Sequence, residues 1–358
     1  MKRLLPILAL ATIIGIAGCS DKKTTNPSPN PGNTATSTWD AAGGFWQSVV
    51  NGSSSDSYKY FSFATRETVV VDDAQAASDT TWDIAFKRTI VKLNSGISGP
   101  KGIKGVDLEA IGSPNGVNFP AVQDTSGVTS TDWIGDYYDY AVDEWLMYNP
   151  NTHQVSLTNY VYTLKDAAGK YVKFQVSDMF GGGQPPDMGS IVIRYVYAAS
   201  GSDISGPGVT DTITAGSDTA YFDFSTGEQV TPADPANSLD WDFAVAAYDI
   251  HLNSNLFGPG EASAYLVTDS GNNPRTDFDS ILVAETQPQA YTWDNAGSAF
   301  TGWYDYDPNT HQLSSFGHVY LIKIHSDVYK VQIQSYYHNV NGMPASGWYT
   351  YKWLKLYQ

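Results

Sequence analysis

The chain has 358 residues, of which 37 are acidic and 20 basic, giving a formal net charge of −17 at pH 7. This balance argues against nucleic-acid binding, because a phosphate backbone requires a clustered positive surface. The 24 Tyr, 10 Trp and 14 Phe residues favour strands and turns over helices.

The N-terminal segment reads MKRLLPILALATIIGIAGCS. A basic start and an apolar run too short to cross a membrane are typical of a secretory signal peptide. Small residues before Cys19, the only cysteine, match the bacterial lipobox, so we expect residues 1–18 to be removed and Cys19 to be lipidated. This predicts a lipid-anchored protein of the outer membrane or cell surface. The alternative is an ordinary signal peptide followed by a chance cysteine.

Residues 19–38 are rich in proline and polar side chains, and no apolar side chain between residues 21 and 37 is larger than alanine. Such a segment cannot bury enough surface to offset its loss of conformational entropy, so we expect a flexible tether. The remaining length suffices for two domains of ordinary size.

The rest of the sequence consists of two similar repeats. WDIAFKRTIVKLNSGISGP starts at Trp82, and WDFAVAAYDIHLNSNLFGP starts at Trp241. Further pairs are YFSFATRETV with YFDFSTGEQV, WLMYNPNTHQ with WYDYDPNTHQ, and YVKFQV with VYKVQI. A nearly constant offset over separate blocks indicates duplication of a whole domain, in a unit too long for a solenoid repeat. We predict domains at 39–200 and 206–358.

Within each copy the pattern is strand after strand. Segments such as KYVKFQV and SIVIRYVY alternate or are β-branched, and they are bounded by Gly, Pro, Asn and Asp. No segment shows a sustained helical period. We therefore predict an all-β fold of two tandem, homologous, antiparallel β-sandwich-like domains.

The WDIAF block, the Asn-Ser turn after a strand, the Pro-Asn-Thr-His turn and the closing KYVKFQV-type strand resemble the HmuY-like family. The resemblance extends nearly end to end over each repeat. It implies lipid-anchored, all-β proteins that capture haem outside the cell, deliver it to an outer-membrane receptor and perform no catalysis. In that family two His or Met side chains on loops hold the haem iron.

Two histidines, His153 and His311, occur in the repeated pentapeptide PNTHQ. A neutral imidazole is a good haem-iron ligand. The other interpretation is a copied strand-to-strand turn in which the imidazole is exposed or caps a backbone group. The first domain has no other His, so a site there needs a methionine partner such as Met147, Met179 or Met188. The second domain contains four further histidines: His251, His318, His325 and His338.

The loops before the last strand of each copy, SDMFGGGQPPDMGS and SYYHNVNGMPASG, are the other predicted source of ligands. Binding residues usually lie on loops held by a rigid sheet, but methionines in a hairpin also serve to cover apolar surface. The candidate haem ligands are therefore His311, His338, His153, Met179, Met188 and Met343.

Three further features bear on function. Trp82 and Trp241, each followed by Asp, are expected to be core anchors whose carboxylates bond nearby backbone. The acidic stretch 132–145 has the residue types of a calcium site, but its spacing and its counterpart after Trp293 favour a solvated face. The sequence contains no hydrolase, zinc-protease or phosphate-loop motif, so no enzyme activity is predicted.

The leading hypothesis is a surface lipoprotein that binds haem or a related tetrapyrrole for uptake. Its expected partners are haem, an outer-membrane haem receptor and the membrane, which is reached through the N-terminal lipid. The competing hypothesis is a glycan- or protein-binding adhesion module without haem, in which exposed Trp and Tyr side chains contact the partner.

Overall fold

The computed structural model describes residues 36–180, 190–216, 218–307 and 309–356. The strands before residue 200 are β1 (Thr36–Asp40), β2 (Phe45–Asn51), β3 (Lys59–Ser62), β4 (Glu67–Val69), β5 (Ile84–Lys87), β6 (Ile90–Leu93), β7 (Lys104–Asp107), β8 (Tyr137–Asp139), β9 (Leu146–Asn149), β10 (Gln154–Leu157), β11 (Tyr162–Lys165), β12 (Tyr171–Phe180) and β13 (Ser190–Ala198). The later strands are β14 (Val209–Thr214), β15 (Ala220–Asp223), β16 (Glu228–Val230), β17 (Phe243–Ala246), β18 (Asp249–Leu252), β19 (Ser263–Leu266), β20 (Asn295–Gly297), β21 (Tyr304–Asp307), β22 (Gln312–Ser315), β23 (Tyr320–Ile324), β24 (Asp327–Val340) and β25 (Met343–Leu356).

Helical structure in this part of the chain is limited to short 3-10 segments: Asp73–Ser78, Phe119–Ala121, Pro235–Asn237, Phe278–Ser280 and Pro288–Ala290. None of the helices in the described ranges has the length and apolar character needed to cross a membrane. The strands pair antiparallel, so the all-β prediction is confirmed.

The strands group into two compact units. Unit 1 contains the described residues up to Tyr137 and those from Ala296 onward, and unit 2 is Tyr138–Asn295. Unit 1 has a six-stranded sheet in the order β1-β2-β25-β24-β23-β7 and a four-stranded sheet in the order β4-β3-β5-β6. Unit 2 has a five-stranded sheet, β14-β13-β12-β11-β19, and a four-stranded sheet, β16-β15-β17-β18.

Aromatic side chains from both sheets of a unit fill its core, because alternate residues of each strand point to the same face. In unit 1 the ring of Tyr351 on β25 lies 5.7 Å from Phe61 on β3 and 5.3 Å from Phe86 on β5. In unit 2, Phe174 on β12 lies 5.4 Å from Phe243 on β17. Each unit therefore has its own core.

Both sequence repeats contribute to each unit. In unit 1, β7 of the first repeat pairs with β23 of the second, with Val106 opposite Leu321. In unit 2, β11 of the first repeat, which corresponds to β23, pairs with β19 of the second repeat, which corresponds to β7. The structure thus divides the chain differently from the repeats 39–200 and 206–358: each unit joins the front half of one repeat to the back half of the other. Duplication made this exchange possible, because it gave both repeats the same strand edges.

The Trp-Asp pair of each repeat is a core anchor, as predicted. Trp82 and Trp241 are at most 1% exposed. The carboxylate that follows Trp82 accepts a hydrogen bond from the N–H of Phe63, and the one that follows Trp241 accepts from Phe224, both at 2.7 Å. These bonds hold the turn after the first strand of each four-stranded sheet.

A buried asparagine in the Leu-Asn-Ser segment closes the same region. Asn94 donates from Nδ2 to the carbonyl oxygens of Asp79 at 2.7 Å and Trp82 at 3.0 Å, and its Oδ1 accepts from the N–H of Lys101 at 3.0 Å. Asn253 makes the corresponding three bonds in unit 2. The repeated Asn is therefore structural, since it satisfies three backbone groups at once.

The repeated Lys of the KYVKFQV-type strand is also structural. Lys330 Nζ donates to the carbonyl oxygens of Phe119 and Val122, and Lys173 Nζ donates to that of Ile281. Burial lowers the pKa of both ammonium groups. Each Lys therefore holds a long loop against the outer face of the larger sheet of its unit, which has six strands in unit 1 and five in unit 2.

Candidate functional site

The second PNTHQ turn joins β21 to β22 in unit 1. His311 lies in this turn with a φ of 55°, and its backbone N–H donates to the carbonyl oxygen of Asp307 at 2.8 Å. Its Nδ1 is 2.6 Å from the hydroxyl of Tyr306. The imidazole is exposed, and Nε2 has no hydrogen-bond partner among the described residues. Pro308 of the pentapeptide lies outside those residues.

The first PNTHQ turn has the same geometry in unit 2. His153, between β9 and β10, also has a φ of 55°, and its Nδ1 is 2.6 Å from the hydroxyl of Tyr148. Both histidines are therefore parts of a copied turn, which is one of the two interpretations that the sequence left open. The turn does not compete with ligand binding, because it leaves the second ring nitrogen exposed in each case.

A second hairpin of unit 1, which carries His338, contacts the first one. It consists of β24 and β25, and it lies beside β22: the N–H of Leu313 donates to the hydroxyl of Tyr337 at 2.9 Å, and the Ser315 hydroxyl donates to the Ile333 carbonyl at 2.7 Å. The half-buried ring of His338 stacks on Trp348, with centroids 6.1 Å apart and planes inclined by 25°.

The methionine candidates lie in less favourable surroundings. Met343 on β25 is 70% exposed, and Met147 on β9 is 60% exposed. Met179 on β12 is partly buried against the core of unit 2, opposite Ile191 of β13. Met188 and Cys19 lie outside the described residues. The structure thus places His311 and His338 on neighbouring hairpins, whereas Met179 packs as a core side chain.

No deep pocket surrounds these candidates in the described ranges. One depression, in unit 2, is lined by residues that include Thr163, Tyr265 and Val283. Another, in unit 1, is lined by Thr36, Ser37, Trp46, Thr65, Arg66 and Glu67. Within the described part of the chain, no group of three or more His, Cys, Asp or Glu side chains is arranged to hold a metal ion.

The sequence reasoning missed two buried carboxylates. Asp136 and Asp294 occupy corresponding positions, and each accepts a backbone N–H, from Leu93 at 3.0 Å and from Leu252 at 2.7 Å. Burial raises the pKa of each to about 7. The solvated-face interpretation of the acidic stretch is wrong for Asp136. The sequence contains a signal for this pair of residues: Asp136 lies three residues after a Trp and before an aromatic segment, and Asp294 directly follows a Trp and precedes Asn-Ala.

A histidine that was not among the ligand candidates is also held in a defined orientation. His318 Nδ1 lies 2.8 Å from a carboxylate oxygen of Asp107, and the ring stacks on half-exposed Phe316 at 5.5 Å. The hydrogen bond to the carboxylate raises the pKa of this imidazole. Sequence reasoning had no means of finding the pair, because its members come from different repeats.

Two units of antiparallel sheets define an all-β class of protein, and comparison with known proteins identifies the family. The family described as HmuY protein matches residues 54–195 and 216–353. The chain therefore belongs to the HmuY family, in two copies.

Comparison of structures and of curated sequences adds little to this. One similar solved structure, from Bacteroides vulgatus ATCC 8482, is named as a HmuY-like heme binding protein. It shares 15% identity, and the match covers 39% of this chain and 86% of that chain with a TM-score of 0.16. The comparison with curated proteins gives no significant match.

Proposed function

We propose that this chain binds haem at the paired hairpins β21–β22 and β24–β25 of unit 1. The observation that carries the proposal is the contact between these hairpins, which places the hairpin of His311 beside the hairpin of His338. Two imidazoles on adjacent hairpins match the ligand type and number that haem iron accepts. Membership of the HmuY family supports the same ligand.

The surroundings of each imidazole suit ligation. The Tyr306 hydroxyl at Nδ1 of His311 orients the ring and leaves Nε2 as the donor, as an outer hydrogen-bond partner does for metal-bound histidines. In this arrangement Nδ1 carries the proton and donates it to the hydroxyl oxygen. Trp348 beneath His338 supplies an aromatic wall for a flat, largely apolar ligand.

Unit 2 is less suited to the same task. Its turn keeps His153, but residue 181, which corresponds to His338 in the repeat alignment, is Gly. Met179 corresponds to the buried core residue Tyr336 and is partly buried against the core of unit 2. Unit 1 is therefore the proposed haem-binding unit, and unit 2 is a diverged copy.

The proposal includes a place for the protein in the cell. Lipidation of Cys19 would hold it at the outer membrane, and the segment 19–38 would let the folded part reach outward. Haem would then pass to an outer-membrane receptor, with no chemical step carried out by this chain. The high acidic content suits an exported surface protein.

Haemin titration of the full chain tests the proposal. We expect a Soret band shift in the wild type, no shift in the double variant His311→Ala/His338→Ala, and an unchanged shift in the control His153→Ala, which alters the same turn in unit 2. Circular dichroism checks that the variants are folded. A wild-type chain without a Soret shift, or a shift that persists in the double variant, would overturn the proposed site.

A further inference from the structure

A row of three tryptophans runs from the core of unit 1 to its surface. Trp39, Trp46 and Trp353 occupy facing positions on β1, β2 and β25. Ring centroids are 5.5 Å apart for the first pair and 6.1 Å for the second. Trp353 is 3% exposed, whereas Trp39 is 48% exposed. The row therefore exposes the indole of Trp39 to solvent, with that of Trp46 partly buried beside it.

A charged group completes this surface, which we call the Trp39 platform (Trp39, Trp46 and Arg66). The guanidinium of Arg66 lies over the Trp46 ring, 4.3 Å from its centroid, and forms no ion pair with any described residue. Its turn is fixed in place, because the Ser37 hydroxyl donates to the Arg66 carbonyl oxygen at 2.6 Å and lies 2.8 Å from the Ser48 hydroxyl. The platform is thus held rigidly on a sheet.

Unit 2 shows that the fold does not require this surface. Tyr195 takes the place of Trp353, and its partner across the sheet, where unit 1 has Trp46, is Val209. Gly227 takes the place of Arg66. Among the described residues of unit 2, the sheet also ends at β14, which corresponds to β2, with no strand in the position of β1. The strand β1 and the side chains of Trp46 and Arg66 therefore distinguish unit 1 from unit 2.

We propose that the Trp39 platform binds a carbohydrate. The apolar C–H face of a sugar ring stacks on an exposed indole, and the ring hydroxyls require hydrogen-bonding groups around it. The depression beside the platform has such groups, namely the side chains of Thr36, Ser37, Thr65, Arg66 and Glu67. The free N–H edge of the guanidinium suits sugar hydroxyls or a uronic acid carboxylate. The platform shares no residue with the proposed haem site of His311, His338 and Trp348.

The test is an array of neutral and hexuronate-containing oligosaccharides probed with the full chain, followed by tryptophan-fluorescence titration of the strongest responder. We expect Trp39→Ala to weaken binding about tenfold or more, the loss typical of a stacking partner. Arg66→Gly should also weaken it; this change preserves the turn, because the residue has a φ of 63° and unit 2 has glycine there. A larger loss for hexuronates than for neutral sugars would show that the guanidinium binds the carboxylate.

The matched control is Phe316→Ala, which removes another half-exposed aromatic side chain of unit 1 and should leave oligosaccharide binding unchanged. The proposal is overturned if no oligosaccharide on the array binds, or if binding survives Trp39→Ala. It is also overturned if Trp39→Ala abolishes the Soret shift with haemin, because the platform would then belong to the haem site.

Discussion

The exchange of strands between repeats leads to a sharp prediction for Asn94→Ala. Asn94 belongs to the first repeat, yet the unit that it stabilises contains β23, β24 and β25 of the second. Removing its amide should therefore loosen strands more than 200 residues away in sequence, and it should leave the back half of its own repeat, residues 146–198, unaffected.

The expected magnitude follows from the three hydrogen bonds that the Asn94 side chain makes. A hydrogen bond contributes about 1 kcal/mol net, and more where its loss leaves a buried group unsatisfied. The free energy of unfolding of unit 1 should fall by about 3 kcal/mol. Because 1.4 kcal/mol corresponds to a factor of ten, amide exchange that requires unfolding of unit 1 should accelerate about 100-fold.

Hydrogen exchange followed by mass spectrometry measures this effect peptide by peptide. In Asn94→Ala we expect faster exchange in peptides covering 84–107 and 320–356, with those from 146–198 and 243–266 unchanged. The reciprocal variant, Asn253→Ala, removes the corresponding bonds in unit 2 and should give the opposite pattern.

A different outcome would refute the strand assignment. If Asn94→Ala accelerates exchange in 146–198 and leaves 320–356 protected, each repeat folds with itself, and the pairings β7–β23 and β11–β19 do not exist in solution. Faster exchange in all four regions would mean that the units do not unfold independently.

Two further predictions concern other parts of the chain. Burial raises the pKa of Asp136 to about 7. The folded state therefore retains a proton on this carboxyl group that the unfolded chain releases near pH 4. The contribution of Asp136 to stability consequently falls as the pH rises from about 4 to about 7. Calorimetry should therefore show that the melting temperature of Asp136→Asn rises relative to that of the wild type as the pH increases over this range. A difference between the two melting temperatures that does not change with pH would contradict the raised pKa. For the proposed anchor, radioactive palmitate fed to cells making the protein should label the wild type and not Cys19→Ala; equal labelling of both would refute lipidation at this residue.

Much of the fold could be predicted from the sequence, because the patterns that indicate it are local. Alternation of apolar residues and the scarcity of helical periods predicted an all-β chain, and the repeated Trp-Asp pair predicted core anchors such as Trp82. The family resemblance, drawn from the order of four blocks, is confirmed by the family match over both repeats. The first two of these inferences need only residues that lie close together in the sequence, and the third needs only the order of blocks along one repeat.

Which strands pair with each other could not be predicted from the sequence, for a physical reason. Duplication gave β7 and β19 the same edge, and β11 and β23 the same complement, so neither periodicity nor composition distinguishes exchanged from unexchanged pairing. The same limit applies to the site. His311 and His338 were candidates by residue type, but the contact between their hairpins depends on the bond between Leu313 and Tyr337, which no sequence pattern predicts.

The pairing of β2 and β7 with strands near the far end of the chain has a consequence for biosynthesis. Ribosomes add about 5 to 20 residues per second, so the front of unit 1 waits on the order of 10 to 40 s before its partners emerge. During this interval its unpaired strand edges and apolar side chains remain open to aggregation, and unit 2 is synthesised in full before those partners emerge. Premature termination near residue 300 would leave unit 2 complete and the front of unit 1 without the strands that it pairs with.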